Sequence, residues 1–243
     1  MNVAFLGATS GMGRALSRAM ASRGDRLFLL GRSEETLREA AKDLEVRGAA
    51  GAVSWALCDL AKAEGFEVAL DKAEDALGQI DTVVVTAGAF ATQDALEADP
   101  VAAERVLTTN FSGTVLFCEA ARKRMSRGGT LCVFSSVAGE RGRKPVVLYG
   151  ASKAGLTRYL EGLDHRYRQS GLRVVTVKPG FVRTEMTEGL SPPPFAGEPK
   201  DVAARVLRAI DRGTPVVYAP APWAAVMTVI RWLPRAVMRR VKF

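Results

Sequence analysis

Seven short apolar runs, each bounded by turn residues and followed by a longer amphipathic stretch, constrain this chain more than any other feature. They are Val3–Leu6, Leu27–Leu30, Val53–Leu57, Thr82–Val85, Leu131–Phe134, Val174–Val177 and Val216–Tyr218. A strand with one wet face alternates polar and apolar residues, whereas a run that is apolar nearly throughout needs cover on both faces. The stretches near 12–23, 34–47, 62–77, 101–125, 149–169 and 199–211 read as helices. Strands and helices in alternation predict an α/β fold: a doubly wound parallel sheet of about seven strands with helices on both faces. The segment 181–199, with Gly189, Pro192-Pro193-Pro194 and Gly197, reads as a loop. No repeat or linker divides the 243 residues, and 48% hydrophobic content excludes disorder for the bulk of the chain.

Several chemistries are excluded early. Cys58, Cys118 and Cys132 are too few and too scattered for a disulfide framework, and none forms a CxxC pair for zinc. A reducing, cytoplasmic setting suits them. His165 is the one histidine, so no multi-histidine metal centre can be built, and a Ser-His-Asp triad would have to run through it. It lies twelve residues beyond Lys153, about 18 Å along a helix, and reads as a surface or packing residue. Met1–Gly7 runs straight into the first strand without the pattern of a signal peptide, and no run of eighteen apolar residues marks a membrane span.

The net charge of +8 is local rather than global. Residues 221–243 hold Arg231, Arg235, Arg239, Arg240 and Lys242 and no acid, leaving +3 on the other 220 residues. That distribution argues against a general nucleic-acid surface. The segment Trp223–Leu233 would extend only about 16 Å as a helix, short of the roughly 30 Å of a hydrocarbon core. Two readings of this amphipathic helical tail stay open: it lies on an anionic membrane surface at the inner face of a membrane, or it packs over the substrate cleft or a neighbouring subunit. In the first case the loop 181–199, with Met186, Leu190 and Phe195, forms an apolar lid over a lipid-linked or hydrophobic carbonyl compound.

The first strand ends in Gly7-Ala8-Thr9-Ser10-Gly11-Met12-Gly13 and a helix follows. Glycines let the backbone turn tightly and approach a pyrophosphate, and the helix N-terminus offers unpaired N–H groups to it. The spacing is GxxxGxG, and a purely structural turn is the competing reading. The second strand ends Leu30-Gly31-Arg32-Ser33. An acid here would suit the ribose of NAD; a cation suits the 2′-phosphate of NADP, unless Arg32 is only a solvated loop residue. Asp59, followed by Leu60 after the third strand, is placed either to meet an adenine amino group or to cap a helix.

Ser136 ends a strand, and thirteen residues later comes Tyr149-Gly150-Ala151-Ser152-Lys153. On a helix Tyr149 and Lys153 share a face. An ammonium beside a phenol draws its pKa below the usual value of about 10, as proton transfer near neutrality needs. A serine hydroxyl at the strand end can hold a carbonyl in the same pocket. YxxxK alone also arises by chance on helices.

Taken together, in this order along the chain, these motifs resemble the short-chain dehydrogenase/reductase family over roughly residues 2–218. The resemblance implies a Rossmann-type domain over 1–220, with 221–243 as an extension. It implies a catalytic tetrad of Asn110, Ser136, Tyr149 and Lys153, in which Asn110 breaks a helix and supports a water-linked proton relay. The cofactor NADP(H) would contact Gly7, Thr9, Ser10, Gly11, Met12, Gly13, Arg32, Asp59, Leu60, Ala87, Gly88, Tyr149 and Lys153. Pro179, Gly180, Val182 and Thr184, in Lys178–Thr184, are similar to the family's nicotinamide loop. Two departures stand out: Leu6 precedes the first glycine where the family has threonine, and Val85-Thr86-Ala87-Gly88 replaces Asn-Asn-Ala-Gly. The implied reaction is hydride transfer between NADP(H) and a ketone or secondary alcohol, without a metal. The implied assembly is a homodimer or homotetramer built on helices 101–125 and 149–169. The alternatives are a soluble reductase of small ketones, sugars or 3-oxoacyl thioesters, and a non-catalytic protein that senses NADPH or docks a partner.

Overall fold

The computed structural model describes residues 1–241; Lys242, counted above among the tail cations, lies outside the described residues. Seven parallel strands form one sheet: β1 (Asn2–Leu6), β2 (Arg26–Gly31), β3 (Ser54–Leu57), β4 (Ile80–Val85), β5 (Met125–Phe134), β6 (Arg173–Pro179) and β7 (Val216–Ala219). Their order is β3-β2-β1-β4-β5-β6-β7, so the winding reverses between β1 and β4. The expected doubly wound parallel sheet is therefore the fold. At such a reversal the loops leaving the two strands part, and a crevice opens at their C-terminal ends.

The helices follow the strands: α1 (Gly11–Ser22), α2 (Glu34–Val46), α3 (Phe66–Leu77), α4 (Gln93–Ala98), α5 (Pro100–Leu107), α6 (Gly113–Arg122), α7 (Val147–Tyr167) and α8 (Pro199–Arg212). Residues from α1, α2 and α8, among them Leu16, Leu37 and Val206, cover one sheet face. Leu70 of α3, Phe117 of α6 and Leu156 of α7 cover the other. Burial on both faces explains the unbroken apolar strands.

The helix expected over 101–125 divides. Asp99 accepts hydrogen bonds from Val101 N at 3.0 Å and Ala102 N at 3.1 Å and starts α5, with Pro100 at its first position. A π-helical turn, Thr108–Ser112, then separates α5 from α6. The close of that stretch is strand instead, because β5 begins at Met125. The stretch 62–77 becomes helix α3 only at Phe66, after a 3₁₀ turn. Asp59 is thus not a helix cap; it accepts from Ala61 N at 3.0 Å and closes a turn.

The loop after β6 is ordered by its own contacts. Thr184 and Thr187 cap each other reciprocally, and Val182 pairs with Gly197. Beyond β7 the chain forms α9 (Trp223–Trp232) and α10 (Arg235–Met238). Met227 and Ile230 pack on Val137, just past Ser136, and Arg141 donates to the Leu233 carbonyl at 2.6 Å. The opposite side of α9 shows Val229 and Trp232 to solvent, Trp232 at 83% exposure. No helix among the described residues is long and apolar enough to cross a membrane.

Candidate active site

The crevice is floored by the glycine turn. Gly7 has φ +97°, and a Cβ there would come within 2.5 Å of the Ala87 nitrogen. A Cβ on Gly13 would strike the Gly7 carbonyl oxygen and lie 2.5 Å from Thr86 Oγ1. Both positions need glycine because the first turn of α1 lies directly on the β1–β4 junction. Thr86 accounts for one departure noted above: its hydroxyl donates to the Gly7 carbonyl at 2.8 Å and holds the turn to β4. Ser10 precedes α1 in extended conformation without capping it by its side chain, and no acid occupies the first helical turn. The N–H groups of Gly11, Met12 and Gly13, next to Thr9 and Ser10, suit an anion.

Arg32 is exposed just past β2, and no salt bridge holds it among the described residues. It stands free to take a 2′-phosphate. Asp59 and buried Leu60 follow β3 on the same edge of the sheet. Ala87 and Gly88 follow β4, and a Cβ on Gly88 would stand 3.1 Å from Asn110 Oδ1 and 3.6 Å from Lys153 Nζ. This backbone, small by necessity, lies against two of the polar groups singled out in the sequence. The cradle fits a dinucleotide.

Asn110 is fully buried in the π-helical turn. Its Oδ1 accepts from Ala89 N at 2.8 Å, and its Nδ2 donates to Ala89 O at 2.7 Å and Ser152 Oγ at 3.4 Å. It thereby ties the loop after β4 to α7. Ser136, two residues past β5, caps the following turn by accepting from Ala138 N at 3.1 Å. Tyr149 and Lys153 share a face of α7, with the ammonium 5.9 Å from the phenol ring centroid. Phe90 meets Tyr149 edge-on at 5.1 Å. Lys153 Nζ donates to the Phe134 carbonyl at 3.0 Å.

The expected direction of the phenol's pKa is reversed here. Burial in the pocket penalises every charged form. It pushes the Tyr149 phenol up, and the Ser136 hydroxyl and Arg143 guanidinium, which pull it down, do not overcome it. The same desolvation pulls Lys153 down to about 8. Spacing along a helix shows that two groups meet; it does not show how dry their surroundings are.

Pro179 ends β6, and Gly180 N donates to Ala219 O at 3.1 Å. A Cβ on Gly180 would strike the Trp223 indole, whose Nε1 donates to Phe195 O at 3.1 Å. Val182 is buried, and Thr184 lies 3.4 Å from where a Gly11 Cβ would stand, so this loop closes over the glycine turn. Arg14 of α1 pairs with Glu185 at 2.7 Å and adds to that closure. Two features escaped the sequence reading. Glu140 is buried between Lys178 and Tyr218, each at 2.7 Å, and joins the loop after Ser136 to β6 and β7. The indole of Trp223 backs the loop at Gly180; tail composition shows the tryptophan but not its target.

A family model described as short chain dehydrogenase matches residues 2–194. The chain belongs to the short-chain dehydrogenase/reductase family. An uncharacterised oxidoreductase of Mycobacterium tuberculosis is 35% identical, the match covering 98% of this chain and 96% of that one. A 3-oxoacyl-[acyl-carrier-protein] reductase of Bos taurus is 34% identical over 77% of this chain and 78% of its own. Among solved structures, a blue fluorescent protein from a metagenomic library in complex with NADPH superposes with a TM-score of 0.80 at 26% identity, covering 89% of this chain and 95% of that one. The protein is an oxidoreductase of the nicotinamide-dependent, CH–OH type.

Proposed function

We propose that the protein is an NADP-dependent reductase that delivers hydride to the carbonyl carbon of a ketone. The observation that carries this reading is the convergence of the Ser136 hydroxyl, the Tyr149 phenol and the Lys153 ammonium beside the glycine cradle. NADPH, when bound, supplies the hydride. Tyr149, a phenol with an ordinary pKa of about 10 that burial pushes up, is protonated at neutral pH and gives a proton to the carbonyl oxygen as the alcohol forms. Ser136 directs that oxygen. Lys153, charged below about 8, stabilises the phenolate left behind and holds the nicotinamide ribose. Asn110 anchors the loop behind Lys153 and serves the relay that returns a proton to the phenol. Arg32 selects the 2′-phosphate. Gly7, Thr9, Ser10, Gly11, Met12 and Gly13 would receive the pyrophosphate of the cofactor, Asp59 and Leu60 its adenine, Ala87 and Gly88 its ribose, and Pro179, Gly180, Val182 and Thr184 its carboxamide.

The substrate in this reading is hydrophobic or lipid-linked. Met186, Leu190 and Phe195 are exposed on the loop over the crevice. The outer side of α9 presents Val229 and Trp232 beside Arg231, with Arg235, Arg239 and Arg240 beyond, a composition suited to an anionic membrane surface from the cytoplasmic side. Leu107, Phe111 and Leu116 are exposed around α5 and α6 and suit a contact between copies in a homodimer or homotetramer. The relatives named as 3-oxoacyl-[acyl-carrier-protein] reductases favour a second reading, a reductase of 3-oxoacyl thioesters. Loss of NADPH absorbance over a panel of long-chain ketones, short polar ketones and 3-oxoacyl thioesters tests both. Faster turnover of long-chain ketones is expected; thioesters alone as substrates would favour the second reading, and no turnover of any would refute both.

A further inference from the structure

Helix α9 touches two loops that border the crevice. On one side, Met227 and Ile230 pack with Val137, the residue after Ser136, and Trp223 and Tyr218 lie against that cluster. Arg141, four residues further along the serine loop, donates to the Leu233 carbonyl at 2.6 Å, just past the end of α9. On the other side, the half-buried Trp223 indole fills the space a side chain at Gly180 would need, and its Nε1 donates to the Phe195 carbonyl at 3.1 Å. Pro220, shortly before α9, acts likewise at Gly197, where a Cβ would strike its ring.

Gly180 and Gly197 are the two ends of one loop. Gly197 N donates to Phe181 O at 2.9 Å, and Arg183 N donates to Gly197 O at 2.9 Å, so the far end of the loop returns to its start. Between them, Thr184 lies over the glycine turn at Gly11. The ion pairs of this loop, Arg14–Glu185 and Arg183–Glu198, join exposed side chains, and such pairs contribute only about 0–1 kcal/mol. The Trp223 indole adds apolar area and a directed N–H, which together fix a position. The Glu140–Lys178 pair joins the serine loop to β6 itself; α9 extends that hold to the residues beyond Pro179.

We propose that Trp223 is a positioning residue for hydride transfer: from α9 it holds the loop 180–197 in fixed relation to the Ser136 loop, and so sets the nicotinamide against the carbonyl that Ser136 and Tyr149 direct. The role rests on the reductase reading above. The two loops leave neighbouring strands, β5 and β6, and one helix contacts both. Reacting atoms must stand about 3–3.5 Å apart, and a misplacement of about 1 Å can cost roughly 10²-fold in rate. Trp223 touches neither reacting group; it acts through Gly180 and Phe195.

The test uses the full chain saturated with NADPH, as wild type, Trp223→Ala, Trp223→Phe and Leu163→Ala. Leu163 is buried in the layer of α3, α6 and α7, ten residues past Lys153, and serves as the control for lost stability alone. Single-turnover oxidation of NADPH by a saturating ketone, repeated with 4-deuterated NADPH, reads the hydride step. Trp223→Ala should slow that step about 10- to 100-fold with a full isotope effect, and should change kcat more than the KM of the ketone. Trp223→Phe keeps a ring and loses only the bond to the Phe195 carbonyl, so it should slow the step about three- to tenfold. Leu163→Ala should melt lower than wild type and transfer hydride at the wild-type rate. Hydride transfer within about twofold of wild type in both Trp223 variants, or an equal loss in Leu163→Ala, overturns the positioning role. Trypsin cleavage after Arg183, followed on the NADPH complex well below melting, reads the loop without any ketone. It should be faster in Trp223→Ala and unchanged in Leu163→Ala; wild-type cleavage in Trp223→Ala overturns the claim that Trp223 holds the loop. No turnover of any ketone by wild type overturns the reductase reading and the role in hydride transfer with it, whereas the cleavage rate reports on the loop alone.

Discussion

Arg32 and Lys153 are both cations at the crevice, and their surroundings give them opposite behaviour. Arg32 is exposed, and in the proposed reading it would make one charge-assisted contact to the 2′-phosphate, of about 1.5–3 kcal/mol. Arg32→Ala should weaken NADPH binding roughly 10- to 100-fold and leave NADH nearly unchanged in fluorescence titration. Equal losses for the two would show that Arg32 does not read the 2′-phosphate. Lys153 is buried, with its pKa lowered from 10.5 to about 8. Between those values the unfolded chain binds the extra proton, so this group makes stability rise with pH. Its cost, about 3 kcal/mol, is complete below pH 8 and gone above pH 10.5. Lys153→Met should therefore be more stable than wild type at pH 7, and the gap should close between pH 8 and 10.5 in denaturant unfolding. A gap independent of pH would show that Lys153 keeps its ordinary pKa in the fold.

At the scale of elements, α9 has two sides with separate consequences. Met227 and Ile230 are buried against Val137, next to Ser136, and each such side chain stabilises by about 1.5–3 kcal/mol. Val229 and Trp232 face outward among arginines. Removing residues 223–243 should lower the melting temperature by several degrees and end co-sedimentation with anionic vesicles at low salt. Trp232→Glu should end co-sedimentation without changing the melting temperature. Wild type that never sediments with such vesicles would refute membrane contact. Composition shows a basic, apolar segment and not which side of it is covered, so on its own it leaves both readings of the tail open.

For the molecule as a whole, the sheet was legible in the sequence because burial on both faces writes itself as unbroken apolar runs, from Val3–Leu6 to Val174–Val177. The glycine turn and the Tyr149–Lys153 pair were legible because tight turns and helical spacing are local. The division of 101–125 was not, since Thr108–Ser112 keeps the chain helical in direction and has no proline or glycine break. The small element α4 was missed for the opposite reason, being too short to show a period. The buried Glu140–Lys178–Tyr218 contact could not be read, because it depends on segments that meet only in three dimensions. The same holds for the sign of the Tyr149 shift, which depends on how much water the assembled pocket excludes.

In the proposed reduction the Tyr149 phenol gives the proton and contributes little to holding the cofactor. The most direct measurement is NADPH oxidation with a ketone that wild type reduces, compared between wild type and Tyr149→Phe, together with NADPH binding by fluorescence. Loss of one proton donor predicts a fall in kcat of about 10²–10⁴-fold with the NADPH dissociation constant within about threefold of wild type, less than 1 kcal/mol. Normal turnover by Tyr149→Phe would show that another group gives the proton.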